Sequence, residues 1–197
     1  MREPVTFSDV LDLEMSYDEA QGEQLLPLAR ELLALAEDPH PADDHAPSAL
    51  LAMAGQYFGD AGDAETAEQV LRRAIDLDDR GGVDPRCFLI ELYLETGRDE
   101  EALALDNETR RSRPLHVVTY SVLGQLWSSR DPRRALGWFN RGLDLAERTG
   151  EDDSATYSLL CVGRYHVRRG QGQDLDEYDE IAVDTLDSAW QDGTPED

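Results

Sequence analysis

A helix–turn–helix pattern over residues 50–77 recurs along this chain and constrains its fold more than any other feature. Apolar and small residues follow helical spacing on both sides of Gly62, which we expect to end the first helix in a left-handed conformation. This turn glycine and the alanine that follows it return 35 residues later, as Gly97 and Ala102. Such a period indicates stacked helix pairs, each of which buries its apolar face against the next.

Four units of this kind are predicted between residues 47 and 190. Their signature residues are Leu51, Ala54, Gly55, Phe58, Ala67 and Leu71; then Leu89, Ile90, Tyr93 and Ala102; then Tyr120, Leu123, Gly124, Trp127, Ala135 and Phe139; and finally Leu159, Val162, Gly163, His166, Leu175, Tyr178, Ile181 and Ala182. Gly55 and Ala67 indicate a close approach of paired helices, because a larger side chain would separate them. We expect His166 to be a partly buried packing residue.

The second unit departs from the pattern on its second helix. Asp106 and Thr109 stand where an aromatic and a small residue are expected, which predicts a short or poorly buried helix and a soft joint. The last segment, residues 191–197, is predicted to be a flexible acidic tail.

Residues 1–46 are predicted to form an N-terminal arm, a capping helix and an acidic linker. Ser16 and Glu19 form an S-x-x-E capping box, and Pro27 indicates that the firm helix begins near Gln24. The linker after this helix, residues 38–47, carries three prolines. It also carries two histidines among aspartates, but the spacing matches no zinc pattern, so we expect a solvated loop without a metal.

The composition indicates a folded, acidic protein without membrane or nucleic-acid affinity. The net charge is −25, which disfavours binding to phosphate, and all 18 basic residues are arginines. Two cysteines, Cys87 and Cys161, lie in apolar helical stretches, which favours a reducing cytoplasm over a disulfide framework. No long apolar run or signal-peptide pattern is present, so we expect a cytoplasmic location.

With these residues in place, the chain resembles a tetratricopeptide-repeat protein. The first and third units match its W-x₂-L-G-x₂-Y and A-x₃-F signatures, and the other two match in part. More narrowly, the segments PRRALGWFNRGLDL and LLCVGRYHVRRGQGQDLDEYDEIA resemble poorly characterised repeat proteins of high-GC Gram-positive bacteria. Some of those proteins carry a SEC-C zinc motif, which is absent here. The resemblance implies an all-α, right-handed solenoid of about four helix pairs with an N-terminal capping helix.

The resemblance also implies a concave groove, lined by the first helices, that binds a protein or peptide. Chaperone-binding members of the family hold a carboxylate there with cationic residues, but the corresponding positions are Ala52, Gln56, Cys87 and Glu91. The segment 110–169, in contrast, has 11 arginines and 6 acids. By the family's geometry, Arg164 and Arg168 border the groove beside Gln125, Ser128 and Ser129, and these five residues are the candidate partner-binding site.

Two interpretations of these arginines remain open at this stage. They could bind a carboxylate, a phosphate or an acidic helix of a partner through bidentate hydrogen bonds. Alternatively, they only pair with the acidic C-terminal segment, in which residues 170–197 hold ten carboxylates and no arginine.

We therefore expect a protein-interaction scaffold or adaptor, and the alternative is a non-catalytic accessory subunit of an enzyme, transcription or secretion complex. A homodimer is compatible with either role. The sequence lacks a glycine-rich phosphate loop, a G-x-S-x-G element and an H-E-x-x-H element, so no catalytic residue, metal or cofactor is expected.

Overall fold

The computed structural model describes residues 2–77, 79 and 81–192, with side chains as far as residue 188. Within this part, helices form the fold and no strand is present: α1 Phe7–Met15, α2 Leu26–Glu37, α3 Pro47–Asp60, α4 Ala64–Asp76, α5 Arg86–Glu95, α6 Asp99–Ser112, α7 Val117–Trp127, α8 Pro132–Thr149, α9 Ala155–Gly170 and α10 Glu177–Asp192. The predicted all-α fold class is confirmed. Residues 193–197 of the predicted flexible tail lie outside the described residues, and residues 191 and 192 belong to α10.

The N-terminal helix α1 has a capping box of its own. The Asp9 amide donates to Thr6 Oγ1 at 3.2 Å, and the Thr6 amide donates back to the Asp9 carboxylate at 2.8 Å. The capping box predicted at Ser16 and Glu19 is wrong. Ser16 follows the end of α1, and its hydroxyl donates to the Leu13 carbonyl at 2.6 Å, so it satisfies a helix C-terminus instead.

The segment between α2 and α3 holds the N-terminal arm in place. Asp43 accepts hydrogen bonds from the Arg2 guanidinium at 2.8 Å and from the amides of Val5 and His40, each at 2.8 Å. The Phe7 amide donates to Asp44 at 3.0 Å. Asp43 and Asp44, two aspartates of the loop that was predicted to be solvated, therefore bind the N-terminal arm. Because the guanidinium hydrogen-bonds to it, the pKa of the Asp43 carboxyl lies well below its usual value.

The helix that the sequence predicts as an N-terminal cap is α2, which begins at Leu26 after a short 3₁₀ helix, Gly22–Leu25, close to the predicted start. It packs against α3, and α3 packs against both α4 and α5. Gly55 makes the α3–α4 contact possible, because a β carbon there would lie 2.5 Å from Leu71 Cγ. Gly62 has a φ of +85°, as predicted for the turn residue between these helices.

The second helix of the second unit, α6, is neither short nor poorly buried, which corrects the sequence-based prediction. It spans 14 residues, Asp99–Ser112. Asp106 and Thr109 are each 0 % exposed, and the Thr109 hydroxyl donates to the Leu105 carbonyl at 2.8 Å. A buried threonine that bonds to its own helix needs no partner from another element, so polar residues can take these positions without shortening the helix.

In the third unit, glycines again set the helix contacts. A β carbon on Gly124 of α7 would lie 2.4 Å from Phe139 Cε1 on α8, and one on Gly142 would lie 2.8 Å from Leu160 Cδ2 on α9. Helix α8 therefore packs closely between its neighbours, and α7 also contacts α9.

The predicted register of the first helix of the fourth unit is wrong at Leu159 and His166, although Gly163 does meet a neighbouring helix. Leu159 is 53 % exposed, whereas Leu160 and Arg164 point inward at 0 % and 7 %. A β carbon on Gly163 would lie 2.6 Å from Phe139, so this glycine faces α8. His166 is exposed, contrary to its predicted packing role, because this register turns it outward. On the next helix Ala182 is fully buried as predicted, but Leu175, before the start of α10, is 55 % exposed.

The chain divides into two compact units, Met1–Arg113 and Pro114–Asp197. The division lies inside the segment 47–190 that the sequence predicts as one repeat domain, directly after α6. None of the described helices combines the length and apolar character needed to cross a bilayer.

Candidate functional site

Arg164 and Arg168 lie four residues apart on α9 and point toward the N-terminus of α10. Arg164 donates to Asp176 from both terminal nitrogens, at 2.8 and 2.7 Å, and to Asn140 of α8 from Nε at 2.8 Å. Arg168 donates from Nε to Asp179 at 2.9 Å. The two arginines of the candidate site therefore have intramolecular carboxylate partners.

The same two carboxylates also begin helix α10. The Asp176 amide donates to the Asp179 carboxylate at 3.1 Å, and the Asp179 amide donates to Asp176 at 3.3 Å. Asp179 is 1 % exposed and lies 3.3 Å from the Arg164 guanidinium. The Arg164 hydrogen bonds, together with nearby charges, lower the pKa of Asp176 to about 2. Asp176 is thus ionised at neutral pH, and the cluster combines helix capping with ion pairing.

An aromatic ring lies against the arginine cluster. The Arg164 guanidinium lies 5.0 Å from the centre of the Tyr178 ring. The Tyr178 hydroxyl donates to Glu147 of α8 at 2.8 Å, and this bond, with burial, raises the pKa of Tyr178 to about 12. Tyr157 of α9 donates to the same carboxylate at 3.3 Å. The arrangement joins helices α8, α9 and α10 and does not resemble an open anion site.

Gln125, Ser128 and Ser129, the other three candidate residues, lie at the end of α7. Gln125 is exposed, and its amide donates to Ser121 at 3.3 Å. The Ser128 hydroxyl donates to the Gly124 carbonyl at 2.8 Å, and Ser129 is exposed in the turn after the helix. Their described hydrogen bonds stay within α7, so the structure does not join them to the arginines.

The predicted clamp positions lie on α3 and α5, in the compact unit Met1–Arg113. Ala52 and Cys87 are buried at 2 % and 0 %, and so cannot contact a ligand. Gln56 and Glu91 line a shallow cleft between the two helices, together with two further acids, Asp60 and Glu95.

Two carboxylates of this cleft, Asp60 and Glu91, have raised pKa values. Burial raises the pKa of Asp60, and burial together with the charges of Glu95 and Asp60 raises the pKa of Glu91. The cleft therefore favours a positive charge. The sequence carries a signal for it, since these acids occur at helical spacing around the clamp positions, but the acidity of the whole chain hides that signal.

A second charged network in the same unit was not predicted from the sequence. Glu68 of α4 accepts hydrogen bonds from Arg72 at 2.8 Å, from the Tyr93 hydroxyl at 3.0 Å and from Arg98. The Arg98 hydrogen bond, with those of Arg72 and Tyr93, lowers the pKa of Glu68 to about 2. Because Arg98 lies in the turn before α6, this network fixes the turn against α4 and is structural.

The cysteines do not form a catalytic group. Cys161 is fully buried while His166 is exposed, and burial raises the pKa of the Cys161 thiol to about 11. Burial also raises the pKa of Cys87. A thiol with a raised pKa carries little of the reactive thiolate at neutral pH. In the part of the chain that the structure describes, no group of three or more histidine, cysteine or acidic side chains could hold a metal ion.

Comparison with known proteins gives no relative for this arrangement: no family model, no curated protein and no solved structure matches the chain.

Proposed function

We propose that this protein is a tetratricopeptide-like interaction module, a right-handed solenoid whose first helices bind an extended segment of a partner protein. Repeated small-residue contacts support the proposal, since Gly55 meets Leu71 in the first unit and Gly124 meets Phe139 in the third. The helix contacts have the expected order as well. Each of α3 and α7 packs against its own second helix and against the next first helix, α5 or α9.

The observation that carries the proposal is the acidic cleft between α3 and α5. It is lined by Gln56, Asp60, Glu91 and Glu95 and lies on the first helices of two consecutive units. Burial raises the pKa of Asp60, and burial with the charges of Glu95 and Asp60 raises the pKa of Glu91, so a bound cation would relieve an existing electrostatic cost. The charge of the cleft therefore favours a basic ligand. Because the cleft itself holds only about 10 Å³, we assign it to a basic, extended peptide segment that lies across its surface.

An acidic ligand at Arg164 and Arg168 fits less well. Asp176 and Asp179 already hold both guanidinium groups, and they are tethered within the same unit. A tethered carboxylate acts at a high effective concentration, so an external anion would have to displace it.

Fluorescence anisotropy with a labelled, non-helical arginine–proline peptide tests the proposal. We expect the double variant Glu91→Gln and Glu95→Gln to weaken binding by roughly tenfold, or about 1.4 kcal/mol. The matched control is Glu65→Gln with Glu100→Gln, which removes two exposed carboxylates from the second helices α4 and α6. Equal weakening by both double variants would show that the peptide senses only net charge and would overturn the proposal.

A second peptide, in which glutamate replaces arginine, tests the charge preference. We expect its binding to be undetectable at the concentrations at which the basic peptide saturates. If the acidic peptide binds more tightly than the basic one, and Arg169→Ala abolishes that binding, the ligand site lies in the arginine-rich segment 110–169 instead.

A further inference from the structure

Helix α1 presents an apolar stripe that the described part of the fold leaves more than half exposed, although the Phe7 ring contacts His45 with 4.5 Å between ring centres. Phe7, Leu11 and Met15 follow one another at intervals of four residues, and they are 62 %, 55 % and 65 % exposed. Residues at this spacing share one face of a helix, so the stripe runs for about 12 Å along α1. Val10, at 2 % exposed, faces the protein and attaches the helix to it.

A cleft continues the stripe beyond Met15. Its volume is about 370 Å³, and it is lined by Glu14, Met15, Tyr17, Asp18, Ala20, Leu25, Leu28 and Tyr57. The Tyr57 hydroxyl donates to Glu14 at 2.7 Å, which fixes one carboxylate at the edge of this cleft. The cleft combines aromatic and apolar walls with acidic groups, and it is large enough to receive a long side chain of a partner.

Carboxylates border the stripe on both sides. Asp12 lies one position after Leu11, and Glu14 lies three positions after it, so the two flank Leu11 in opposite directions around the helix. Arg2, the basic residue closest in sequence to α1, has its guanidinium paired with Asp43. Helix α1 itself contains three acidic residues and no basic residue.

The charge around the stripe disfavours two other occupants, a second copy of the chain and an anionic lipid surface. A second copy would bring Asp12 and Glu14 against the same carboxylates, in a protein whose net charge is −25. An anionic lipid surface would be repelled in the same way.

We infer that the α1 stripe and the adjoining cleft bind a basic amphipathic helix of a partner protein. The apolar face of that helix covers Phe7, Leu11 and Met15, and its flanking arginine or lysine residues meet Asp12, Glu14 and Asp18. This is recognition of a helix by an apolar face with charged borders, in which the apolar contacts give affinity and the charges select the partner and its orientation. The surface is separate from the α3–α5 cleft and goes beyond the function proposed above.

The test uses the full chain and a fluorescein-labelled designed helix of leucine, lysine and alanine, about 18 residues or five turns long, with its leucines on one face. Two control peptides are required. One has the same composition in an order that scatters the leucines, and the other carries glutamate in place of lysine. We expect the designed helix to bind at least about tenfold more tightly than either control.

On the protein side, the double variant Leu11→Ser and Met15→Ser should weaken binding of the designed helix by about tenfold. The matched control, Leu115→Ser with Leu159→Ser, removes two leucines that are 64 % and 53 % exposed and should leave binding within about twofold. Circular dichroism should show unchanged melting for both, because the substituted side chains are exposed. The double variant Glu91→Gln and Glu95→Gln, which alters the separate cleft between α3 and α5, should also leave binding of the designed helix unchanged. This result separates the inference from the proposed function.

Three outcomes would overturn the inference. Equal binding of the scattered-leucine peptide would mean that only net charge is recognised. Equal weakening by the two leucine variants would mean that the stripe has no special role. A dimer in sedimentation velocity that dissociates on Leu11→Ser and Met15→Ser would show that a second copy covers α1.

Discussion

Arg164 and Asp176 are joined by two parallel hydrogen bonds, of 2.8 and 2.7 Å, across the turn between α9 and α10. The arginine belongs to the last turns of one helix and the aspartate caps the next. This pair shows that Arg164 has a structural role. Its guanidinium is held in bidentate fashion and the residue is only 7 % exposed, so Arg164 belongs to the core around α9 and α10.

Removal of the Arg164 side chain should be strongly destabilising. Arg164→Ala leaves the buried Asp179 carboxylate with one ion-pair partner fewer, and losing one member of a buried pair typically costs about 3–5 kcal/mol. Arg169→Ala, on the exposed side of the same helix, should change the free energy of unfolding by less than about 0.5 kcal/mol. Urea denaturation followed by circular dichroism measures both, and similar values for the two variants would contradict the structural role.

Truncation after Leu186 should not release the arginines. The carboxylates that hold them, Asp176 and Asp179, remain in the shortened chain, so an acidic peptide should bind it no more tightly than the full-length protein at low salt. Anisotropy titrations of the two proteins measure this. A gain in binding that fades as salt rises would show that residues 187–197 mask the arginines electrostatically.

Gly124→Ala should destabilise the compact unit Pro114–Asp197 by about 1–3 kcal/mol through overpacking. The added β carbon would lie 2.4 Å from Phe139 Cε1, and the same ring also packs against Gly163, where a β carbon would lie 2.6 Å from it. Gly170→Ala is the control, because a β carbon there meets nothing within 4 Å. Thermal unfolding should show a loss only for the first variant, and Phe139→Leu should reduce that loss in a double-mutant cycle.

Glu91→Gln should stabilise the protein at pH 7, and the gain should shrink as the pH is lowered. Burial, with the charges of Glu95 and Asp60, raises the pKa of Glu91 in the folded state. A raised carboxyl pKa means that the ionised form costs stability above that pKa and that protonation removes the cost below it. Melting temperatures measured from pH 7 down to about 4.5 test this, and a gain independent of pH would point to a packing effect.

The helix pairs could be predicted because their signals are local. A small residue such as Gly55 or Gly124 at a fixed distance from the turn reports a close helix contact directly, and each glycine does meet a large side chain of the paired helix. Of the four clamp positions named from the resemblance, only Gln56 and Glu91 line the cleft between α3 and α5. Its preference for a cation follows from burial and repulsion that only the fold shows.

The errors have non-local causes. Leu159 and Leu160 are equally apolar, and the choice between them depends on Arg164 turning inward to meet Asp176 and Asp179. No pattern within α9 carries that information, since the deciding carboxylates belong to the following helix. Ser16 fails for a related reason, because the same short motif can begin a helix or follow one.

The burial of the two thiols has a practical consequence for measuring the motions of this protein. Cys87 lies in Met1–Arg113 and Cys161 in Pro114–Asp197, so each unit contains one cysteine, and each is 0 % exposed. A disulfide reagent can therefore react only when the surrounding helices open, and the labelling rate of each cysteine reports the opening equilibrium of its own unit. With Cys87→Ala or Cys161→Ala, the same assay follows one unit at a time, without a newly introduced cysteine.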